Sequence, residues 1–439
     1  MIKNVKCFAV LLAIVLGLIL IPGTAGANVY EPTDLDEAMN AIVEDYGVAG
    51  ITAAVVKQRK VIWHGSYGWH DIEADRAIQD DSIIRVASIS KSFTALAAMQ
   101  LVQEGLLDLD EDINTYLSGR LNSLEVEIRN PNHPDDIITV RQLLNHTSSI
   151  RNGRYVAFNT AGRNAGWDQQ TDIPTLDDYF ALDGDFYAEI NWAAFAPGAE
   201  FEYSNMGFVV LGAIIESISG QRFDIYMNEN VLQPLGMVNS SFNFNDLDPA
   251  LVAPMYRRTS DEPTFSKIEL GPNPSFEGYE PGTHGGFFGP QGSLLSTSED
   301  LTKFMVAMMN SDQRILSRKM IDEMHTLSVT TDKGGPATFW GIYKQKGLGI
   351  HITDEFVGGV KMYGHTGGAY GIITDMYYMR ENNLGNNLGI VFLINGCNED
   401  IFGDRSPYYK IEEDLADLLY DYLSKQKGIK SFEVSTRNP

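Results

Sequence analysis

The chain has 439 residues, of which 44% are hydrophobic, enough to bury a substantial core in one large or two closely packed domains. It carries 33 basic and 58 acidic side chains, a formal net charge of −25, and an acidic surface of that size repels nucleic-acid phosphates and anionic lipids. Composition therefore argues against a nucleic-acid-binding protein and against attachment to an anionic membrane surface.

Residues 1–27 have the pattern of a secretory signal peptide. Two lysines precede the apolar run from Phe8 to Ile21, and Ala25-Gly26-Ala27 supplies a small-residue cleavage site. Because the run is short for a membrane span, we predict a secreted or extracytoplasmic protein with no stable membrane insertion after signal cleavage. An uncleaved N-terminal anchor is the alternative. Removal of this segment leaves Cys397 as a single cysteine, so no intramolecular disulfide is expected.

Hydrophobic periodicity predicts seven helices and six strands. The predicted helices are, in chain order, Leu35–Tyr46, a helix that begins at Ser88 and includes Phe93–Val102, residues 139–145, Asn205–Ile218, Ser298–Asn310, Ser317–His325 and Pro407–Leu423. The predicted strands are Gly50–Val56, Val61–Trp69, Thr338–Tyr343, Gly358–Tyr363, Gly371–Met379 and Leu388–Asn395. Residues 151–200 show no sustained periodicity and are expected to be rich in loops.

Strands at both ends of the chain, with helices between them, predict an α+β fold with one sheet assembled from N- and C-terminal parts. We assign the sheet part to about 28–85 and 325–425, and an inserted, mostly helical part to about 86–324. Residues 426–439 are interpreted as a C-terminal tail.

The segment Ser88-Ile89-Ser90-Lys91 opens the apolar helix. Residues three apart on a helix share one face, so the Lys91 amine can reach the Ser88 hydroxyl one turn earlier. A serine needs a base to take its proton as it attacks, and lysine becomes such a base when burial lowers its pKa. The spacing therefore predicts a nucleophile and its proton acceptor. A buried helix start with a serine cap is the alternative.

The same spacing recurs at Ser424 and Lys427, but in a charged C-terminal segment that offers no desolvation. We interpret this copy as a solvated helix face.

Tyr203-Ser204-Asn205 follows a turn and leads into a predicted helix, so both flanking side chains can project from a loop. A tyrosine near a lysine can share its proton relay, and the Asn205 amide can hold a substrate carbonyl. Tyr226 and Asn228 repeat the spacing inside a predicted helix. For Tyr203 taken alone, core packing is the better interpretation.

His365-Thr366-Gly367 lies between two strand-like runs and is followed by Gly368. Small residues let a substrate lie against the strand, whose amides can donate to an oxyanion, while His365 and Thr366 offer hydrogen bonds. Taken alone, this segment is also compatible with a tight β-turn that carries a partly exposed histidine.

In this order, the three motifs resemble the serine β-lactamase and penicillin-binding-protein superfamily, in particular its class C-like branch with DD-peptidases and esterases. Three further stretches resemble the same branch: Leu143–Ser149, Gln233–Met237 and Gln291–Leu301. The resemblance spans roughly Leu35 to Leu423 and implies an antiparallel sheet flanked by helices, with the inserted helical region.

The resemblance also implies roles for the motif residues. Ser88 corresponds to the acylated nucleophile, Lys91 to its proton partner, and Tyr203 to a general base that also protonates the leaving group. Asn205 corresponds to the residue that orients the acyl side chain. The oxyanion hole corresponds to the backbone amides of Ser88 and Gly368, with His365, Thr366 and Gly367 along the opposite wall.

Two departures from the family pattern bear on the substrate. Many β-lactamases of this type have lysine where His365 stands, and a largely neutral histidine holds a carboxylate less well. DD-carboxypeptidases also need a cation, yet no arginine occurs between Arg318 and Arg380. Lys344, Lys346 and Lys361 are the candidates that remain in this range.

A metal site is not expected. The acidic run from Asp108 to Asn114 lacks the glycine and the closing glutamate of a calcium loop, and no His-x-x-x-His pair stands beside a glutamate. The resemblance likewise implies hydrolysis without a metal or organic cofactor.

The leading hypothesis is an exported serine hydrolase that acts on peptide, amide or ester bonds of a small-molecule or peptide substrate, with D-amino-acid peptides as one candidate. The alternatives are a β-lactamase and a non-catalytic sensor that is acylated without turnover. The sequence leaves the oligomeric state open.

Overall fold

A computed structural model describes residues 34–117, 126–168, 173–258, 264–271, 279–285, 289–380, 387–398, 401–425 and 432–433. The predicted signal peptide, Lys427 and most of the predicted C-terminal tail lie outside these residues.

Fifteen strands are present in the described part of the chain. They are β1 (Gly50–Lys57), β2 (Lys60–Asp71), β3 (Arg76–Ala77), β4 (Ile84–Arg85), β5 (Met255–Arg258), β6 (Ser266–Ile268), β7 (Leu295–Ser296), β8 (Val329–Thr330), β9 (Gln345–Lys346), β10 (His351–Val357), β11 (Val360–Ala369), β12 (Ile372–Tyr378), β13 (Leu388–Ile394), β14 (Gly396–Asn398) and β15 (Phe432–Glu433).

The main sheet has the order β15-β2-β1-β13-β12-β11-β10-β9-β8, with β3 paired to β2, and all of its pairs are antiparallel. Its N- and C-terminal parts meet where β1 pairs with β13, with Ile51 opposite Ile394. The predicted assembly of one sheet from both ends of the chain is confirmed.

Twelve α-helices are described, several of them only one turn long. They are α1 (Asp34–Asp45), α2 (Ser90–Gln103), α3 (Asn114–Leu117), α4 (Val140–Leu144), α5 (Tyr155–Asp168), α6 (Leu176–Phe180), α7 (Asn205–Ser219), α8 (Phe223–Met227), α9 (Gln233–Leu235), α10 (Ser298–Asn310), α11 (Arg318–His325) and α12 (Lys410–Lys425).

The sheet separates two hydrophobic cores. On one face α10 packs against β1, β12 and β13, and the core continues into α2 and α7 of the helical region. On the other face α1 and α12 cover β2, β10 and β13. Because both faces are covered, β1 is buried along nearly its whole length and does not alternate between apolar and polar residues.

Local sequence signals fix the ends of α7. The Ser204 side chain accepts a hydrogen bond from the Gly207 amide at 2.9 Å, an N-terminal cap. Gly220 ends the helix in the left-handed conformation, with φ of 70°, which glycine adopts without steric cost. This helix therefore starts at the Tyr203–Asn205 motif, as predicted.

Three sequence predictions of secondary structure are wrong. Residues 338–343, predicted as a strand, begin at the end of a 3₁₀ helix (Gly335–Thr338) and continue as turns, because Phe339 and Trp340 both have positive φ and break the extended path. Residues 151–200, expected to be loop-rich, contain α5 and α6. The His365 motif is not a turn between strands: it lies inside β11.

Candidate active site

The nucleophile candidate sits on a short 3₁₀ turn, Ala87–Ile89, that leads directly into α2. Ala87 has φ of 45°, an unfavourable value for a residue with a Cβ, and the Ser90 hydroxyl donates to the Ala87 carbonyl at 2.6 Å. Ser88 is half-buried, whereas its neighbours Ala87 and Ile89 are buried. The strained turn therefore exposes one hydroxyl from an otherwise buried segment.

The Lys91 amine makes three polar contacts. Its Nζ lies 3.0 Å from Ser88 Oγ, 2.8 Å from Asn205 Oδ1 and 2.6 Å from the Gln291 carbonyl oxygen. The side chain has no exposed surface, and burial lowers the pKa of the amine well below its usual value, helped by the nearby charges of Lys346 and Arg85.

These contacts suit an uncharged amine. A neutral amine has two N–H donors and one lone pair, while an ammonium has three donors and no acceptor. Asn205 Oδ1 and the Gln291 carbonyl are acceptors only, so an uncharged amine would give them its two N–H groups and keep its lone pair for the Ser88 proton. The geometry thus places a base beside the nucleophile.

Asn152 holds Asn205 in place. Its side-chain oxygen accepts a hydrogen bond from the Asn205 backbone N–H at 2.7 Å, and its side-chain NH₂ group donates to the Tyr203 carbonyl at 3.0 Å. This clamp fixes the loop that carries both motif residues. Asn205 also lines the cleft beside Ser88.

Tyr203 is buried in an aromatic cluster. Its ring stacks on Tyr343 at 4.7 Å with an angle of 10°, and the His146 ring lies 4.5 Å away. The Lys91 Nζ is 4.9 Å from the centroid of the Tyr203 ring. In the described part of the chain the phenol makes no hydrogen bond of ordinary geometry. Burial raises its pKa, although the Ser88 and Tyr343 hydroxyls act in the opposite direction. The resting group is a neutral phenol that can donate its proton.

The glycines of β11 let this strand approach the Ser88 turn. A Cβ on Gly367 would lie 3.0 Å from the Ser88 amide nitrogen and would also contact Thr374 Oγ1 at 2.5 Å. Any larger residue at this position would push the strand away from the nucleophile. Gly368 then lines the cleft together with Ser88.

His365 is close to the site but does not line the open cleft. Its ring is fully buried, its Nδ1 lies 2.6 Å from the Thr366 carbonyl, and its centroid is 6.3 Å from that of Tyr203. Burial lowers the pKa of the imidazole, with the charges of Lys346 and Lys91 adding to the effect. This environment agrees with the expectation that His365 is largely neutral.

Thr366 is not brought into the cleft. Its hydroxyl donates to Glu412 of α12 at 3.2 Å, beside a separate cavity of about 110 Å³. Side chains alternate along a strand, so a residue between His365 and Gly367 must point to the opposite face. The expected wall of His365 and Thr366 therefore is not formed by their side chains.

The open cleft has a volume of about 350 Å³. The residues that line it are Arg85, Ala87, Ser88, Tyr155, Val156, Asn159, Asn205, Arg257, Gln291, Gly292, Gly368, Ala369 and Tyr370. This lining contains two arginines and no acidic residue. Arg85 Nε donates to the Gly292 carbonyl at 2.9 Å, which fixes one guanidinium close to the Ser88 turn.

The three lysines considered as carboxylate-binding cations do not lie at the cleft. Lys344 pairs with Glu355 at 2.6 Å, Lys346 is fully buried, and Lys361 lies 5.4 Å from the Tyr363 ring. None of the three lines the cleft. Arg85 and Arg257 come from distant segments, and the only local signal for Arg85 was its position three residues before Ser88.

No group of three or more His, Cys, Asp or Glu side chains in the described part of the chain is arranged to hold a metal ion. None of the described helices combines the length and apolar character that crossing a lipid bilayer requires.

Comparison with known proteins agrees with this geometry. The β-lactamase family model matches residues 35–410. β-Lactamase-like protein 2 of Dictyostelium discoideum is 26% identical over 306 residues, 68% of this chain and 50% of that protein. Protein flp of Staphylococcus aureus strain MRSA252 is 27% identical over 278 residues, 63% of this chain and 48% of that protein. The chain thus spans about half the length of the curated relatives it matches.

Two solved structures show the same fold. The octameric penicillin-binding protein homologue from Pyrococcus abyssi is 27% identical, with a TM-score of 0.64 over 89% of this chain and 77% of that one. The D-amino acid amidase from Ochrobactrum anthropi SV3 is 21% identical, with a TM-score of 0.62 over 90% and 100% of the two chains. The chain belongs to the β-lactamase family, within the serine β-lactamase and penicillin-binding-protein superfamily of serine hydrolases.

Proposed function

We propose that this protein is an exported serine hydrolase that cleaves peptide, amide or ester bonds through an acyl-enzyme at Ser88. The observation that carries the proposal is the position of the buried Lys91 amine, 3.0 Å from Ser88 Oγ, with Asn205 Oδ1 and the Gln291 carbonyl oxygen as its other two polar contacts. An oriented base beside a hydroxyl is the central requirement of nucleophilic catalysis by serine.

In the first step, Lys91 accepts the Ser88 proton as Oγ forms a bond to the substrate carbonyl carbon. Ser88 and Gly368 line one cleft, and their backbone N–H groups would donate hydrogen bonds to the oxyanion. The bond to the leaving group breaks and the departing nitrogen or oxygen takes a proton from Tyr203. Water then attacks the acyl carbon as the Tyr203 phenolate takes one of its protons, and Ser88 Oγ leaves and takes back the proton held by Lys91. A carboxylic acid is released, and Ser88, Lys91 and Tyr203 return to their resting forms.

This assignment differs from the expectation that Tyr203 is a general base that also protonates the leaving group. Burial favours the protonated phenol and the uncharged amine. Lys91 therefore acts as the base in the resting enzyme, and Tyr203 acts as the acid toward the leaving group.

The cleft favours a substrate that carries a negative charge. Arg85 and Arg257 both line it, no acidic residue does so in the described part of the chain, and the protein as a whole is strongly acidic. Cations at the mouth of a site attract anions, even when the protein as a whole is acidic. A peptide with a free carboxylate, such as a D-amino-acid peptide, fits better than an amine-bearing substrate.

Substrate panels test this function. Wild type and Ser88→Ala are compared with p-nitrophenyl esters, D-alanyl peptides and nitrocefin. We expect turnover of an ester or peptide by wild type and none by Ser88→Ala. Rapid turnover of nitrocefin would replace the proposal with a β-lactamase. Acylation of Ser88 by fluorescent penicillin at one equivalent, without turnover of any substrate, would favour a sensor.

A further inference from the structure

A second lysine is buried behind the active site. Lys346, the last residue of β9, has no exposed surface, and its Nζ has no hydrogen-bond partner in the described part of the chain. The amine lies 4.8 Å from the centroid of the Tyr343 ring. Burial of an amine without a polar partner destabilises a protein, so a lysine that only fills space is not expected here.

Aromatic rings connect this amine to the reacting groups. Tyr343, against which Lys346 lies, is the ring that stacks on Tyr203. Tyr203 in turn lies against the Lys91 amine. Each of the two buried amines thus contacts one ring of the same stacked pair.

The other titratable groups around Lys346 do not neutralise it. His351 faces Lys346 on the adjacent strand β10, His365 comes from β11, and His146 from the loop after α4. Burial lowers the pKa of all three imidazoles, and the charge of Lys346 adds to this effect. The Nε2 atom of each ring has no partner in the described part of the chain. Tyr343 has a pKa raised by burial and stays neutral.

Two buried carboxyl groups, Asp375 and Glu412, lie at the same part of the sheet. Asp375 of β12 lies opposite Thr366 of β11 in the strand register and beside Glu412 of α12. Burial raises the pKa of Asp375. Neither carboxyl affects Lys346, for which burial alone lowers the pKa, to about 7. Lys91, in contrast, is affected by Lys346 and also by Arg85 at the cleft.

We propose that Lys346 is a positioning residue for the acyl-transfer reaction: its buried amine makes a second positive charge at Lys91 unfavourable and so holds Lys91 in the uncharged form that accepts the Ser88 proton. Like charges repel strongly in a medium from which water is excluded. The two amines therefore do not both carry a proton near neutral pH. This inference rests on the proposed function for its catalytic consequence, but not for the coupling between the two amines.

The pH dependence of Ser88 labelling by a fluorophosphonate tests the proposal. Without the Lys346 charge, the Lys91 pKa rises, so the base form is populated only at higher pH. We expect Lys346→Met to move the acidic limb of the labelling rate upward by about one pH unit, equal to about tenfold slower labelling below the limb. The rate at high pH should remain close to that of wild type.

Two variants serve as controls. Lys344→Met removes a partly exposed lysine two residues away, paired with Glu355, and should leave the limb in place. Lys346→Arg keeps a positive charge at every pH and should place the limb at or below the wild-type position. An unchanged limb in Lys346→Met, or an equal loss of rate at every pH, would overturn the proposal.

A direct titration does not depend on catalysis. In wild-type protein labelled with ¹³C at the lysine Cε, the signals of Lys91 and Lys346 should both titrate below the usual lysine range. The Lys91 signal should titrate at higher pH in Lys346→Met. A Lys346 signal that titrates in the usual range, or a Lys91 titration unaffected by the substitution, contradicts the proposal. Absence of labelling in wild type would instead count against the proposed function alone.

Discussion

Basic side chains occur in two contrasting regions around Ser88. Behind the nucleophile, Lys91 and Lys346 have no exposed surface, and burial lowers the pKa of each amine. At the mouth, Arg85 and Arg257 line an open cleft. A guanidinium keeps its charge under all ordinary conditions, whereas a buried amine gives it up readily. The contrast indicates that the interior is suited to moving a proton and the mouth to recognising an anion.

The buried region should dominate the chemical step. Replacement of Lys91 by alanine removes the base, so we expect Ser88 labelling by a fluorophosphonate to fall by about 10³-fold. The fold should remain, because loss of the buried amine leaves no unpaired charge. Lys427→Ala is the matched control from the other Ser-x-x-Lys copy and should change nothing. Equal labelling rates in the two variants would contradict a specific role for Lys91.

Tyr203→Phe tests the same buried region. Loss of the phenol removes the proton donor for the leaving group, so we expect turnover of a peptide or poor-leaving-group ester to fall by about 10²-fold. Tyr226→Phe, in the buried tyrosine of α8, should have little effect on turnover. Steady-state kinetics of both variants with one substrate make this comparison. A larger loss in Tyr226→Phe would show that the wrong tyrosine had been assigned.

The arginines at the mouth of the cleft should affect substrate binding and not the chemical step. We expect Arg257→Gln to raise KM about tenfold for a substrate with a free carboxylate and to leave KM unchanged for its neutral methyl ester. Fluorophosphonate labelling should also be unchanged. Arg258→Gln is the control, since Arg258 is the next residue of β5 and lies 6.0 Å from the Phe265 ring. A loss shared by charged and neutral substrates would contradict a recognition role.

The smallest effect concerns stability. The Lys346 pKa is lowered to about 7 in the folded state, so between pH 7 and the unfolded value of about 10.5 the unfolded chain binds more protons. Stability of wild type should therefore rise with pH across this window. We expect Lys346→Met to unfold with a free energy about 1–3 kcal/mol higher at pH 7, a gain that shrinks toward pH 10.5. Urea unfolding at several pH values measures this, and a destabilised variant at pH 7 would contradict an unpaired amine.

The parts of the site that depend on local sequence were predictable. Ser88 and Lys91 share a helix face, and Tyr203 and Asn205 precede a helix whose cap and terminal glycine are readable in the sequence. The overall α+β arrangement followed from strands at both ends of the chain. These features depend on residue spacing, which a sequence displays directly.

The parts of the site that were not predicted depend on contacts between distant segments of the chain. The acceptor at Gln291 is a backbone carbonyl 200 residues from Lys91 in sequence, and a carbonyl carries no signature of residue type. Thr366 turned away because the motif lies inside a strand, where alternation decides which side chains face the cleft. Lys346 was considered only as a cation for a substrate carboxylate, since burial of an unpaired amine has no local sequence signal.

Localisation of the fluorophosphonate adduct by peptide mass spectrometry tests the central claim most directly. The account predicts one adduct, on Ser88, that forms in wild type, forms about 10³-fold more slowly in Lys91→Ala and is absent in folded Ser88→Ala. An adduct on another residue, or labelling of Ser88→Ala at the wild-type rate, would contradict it.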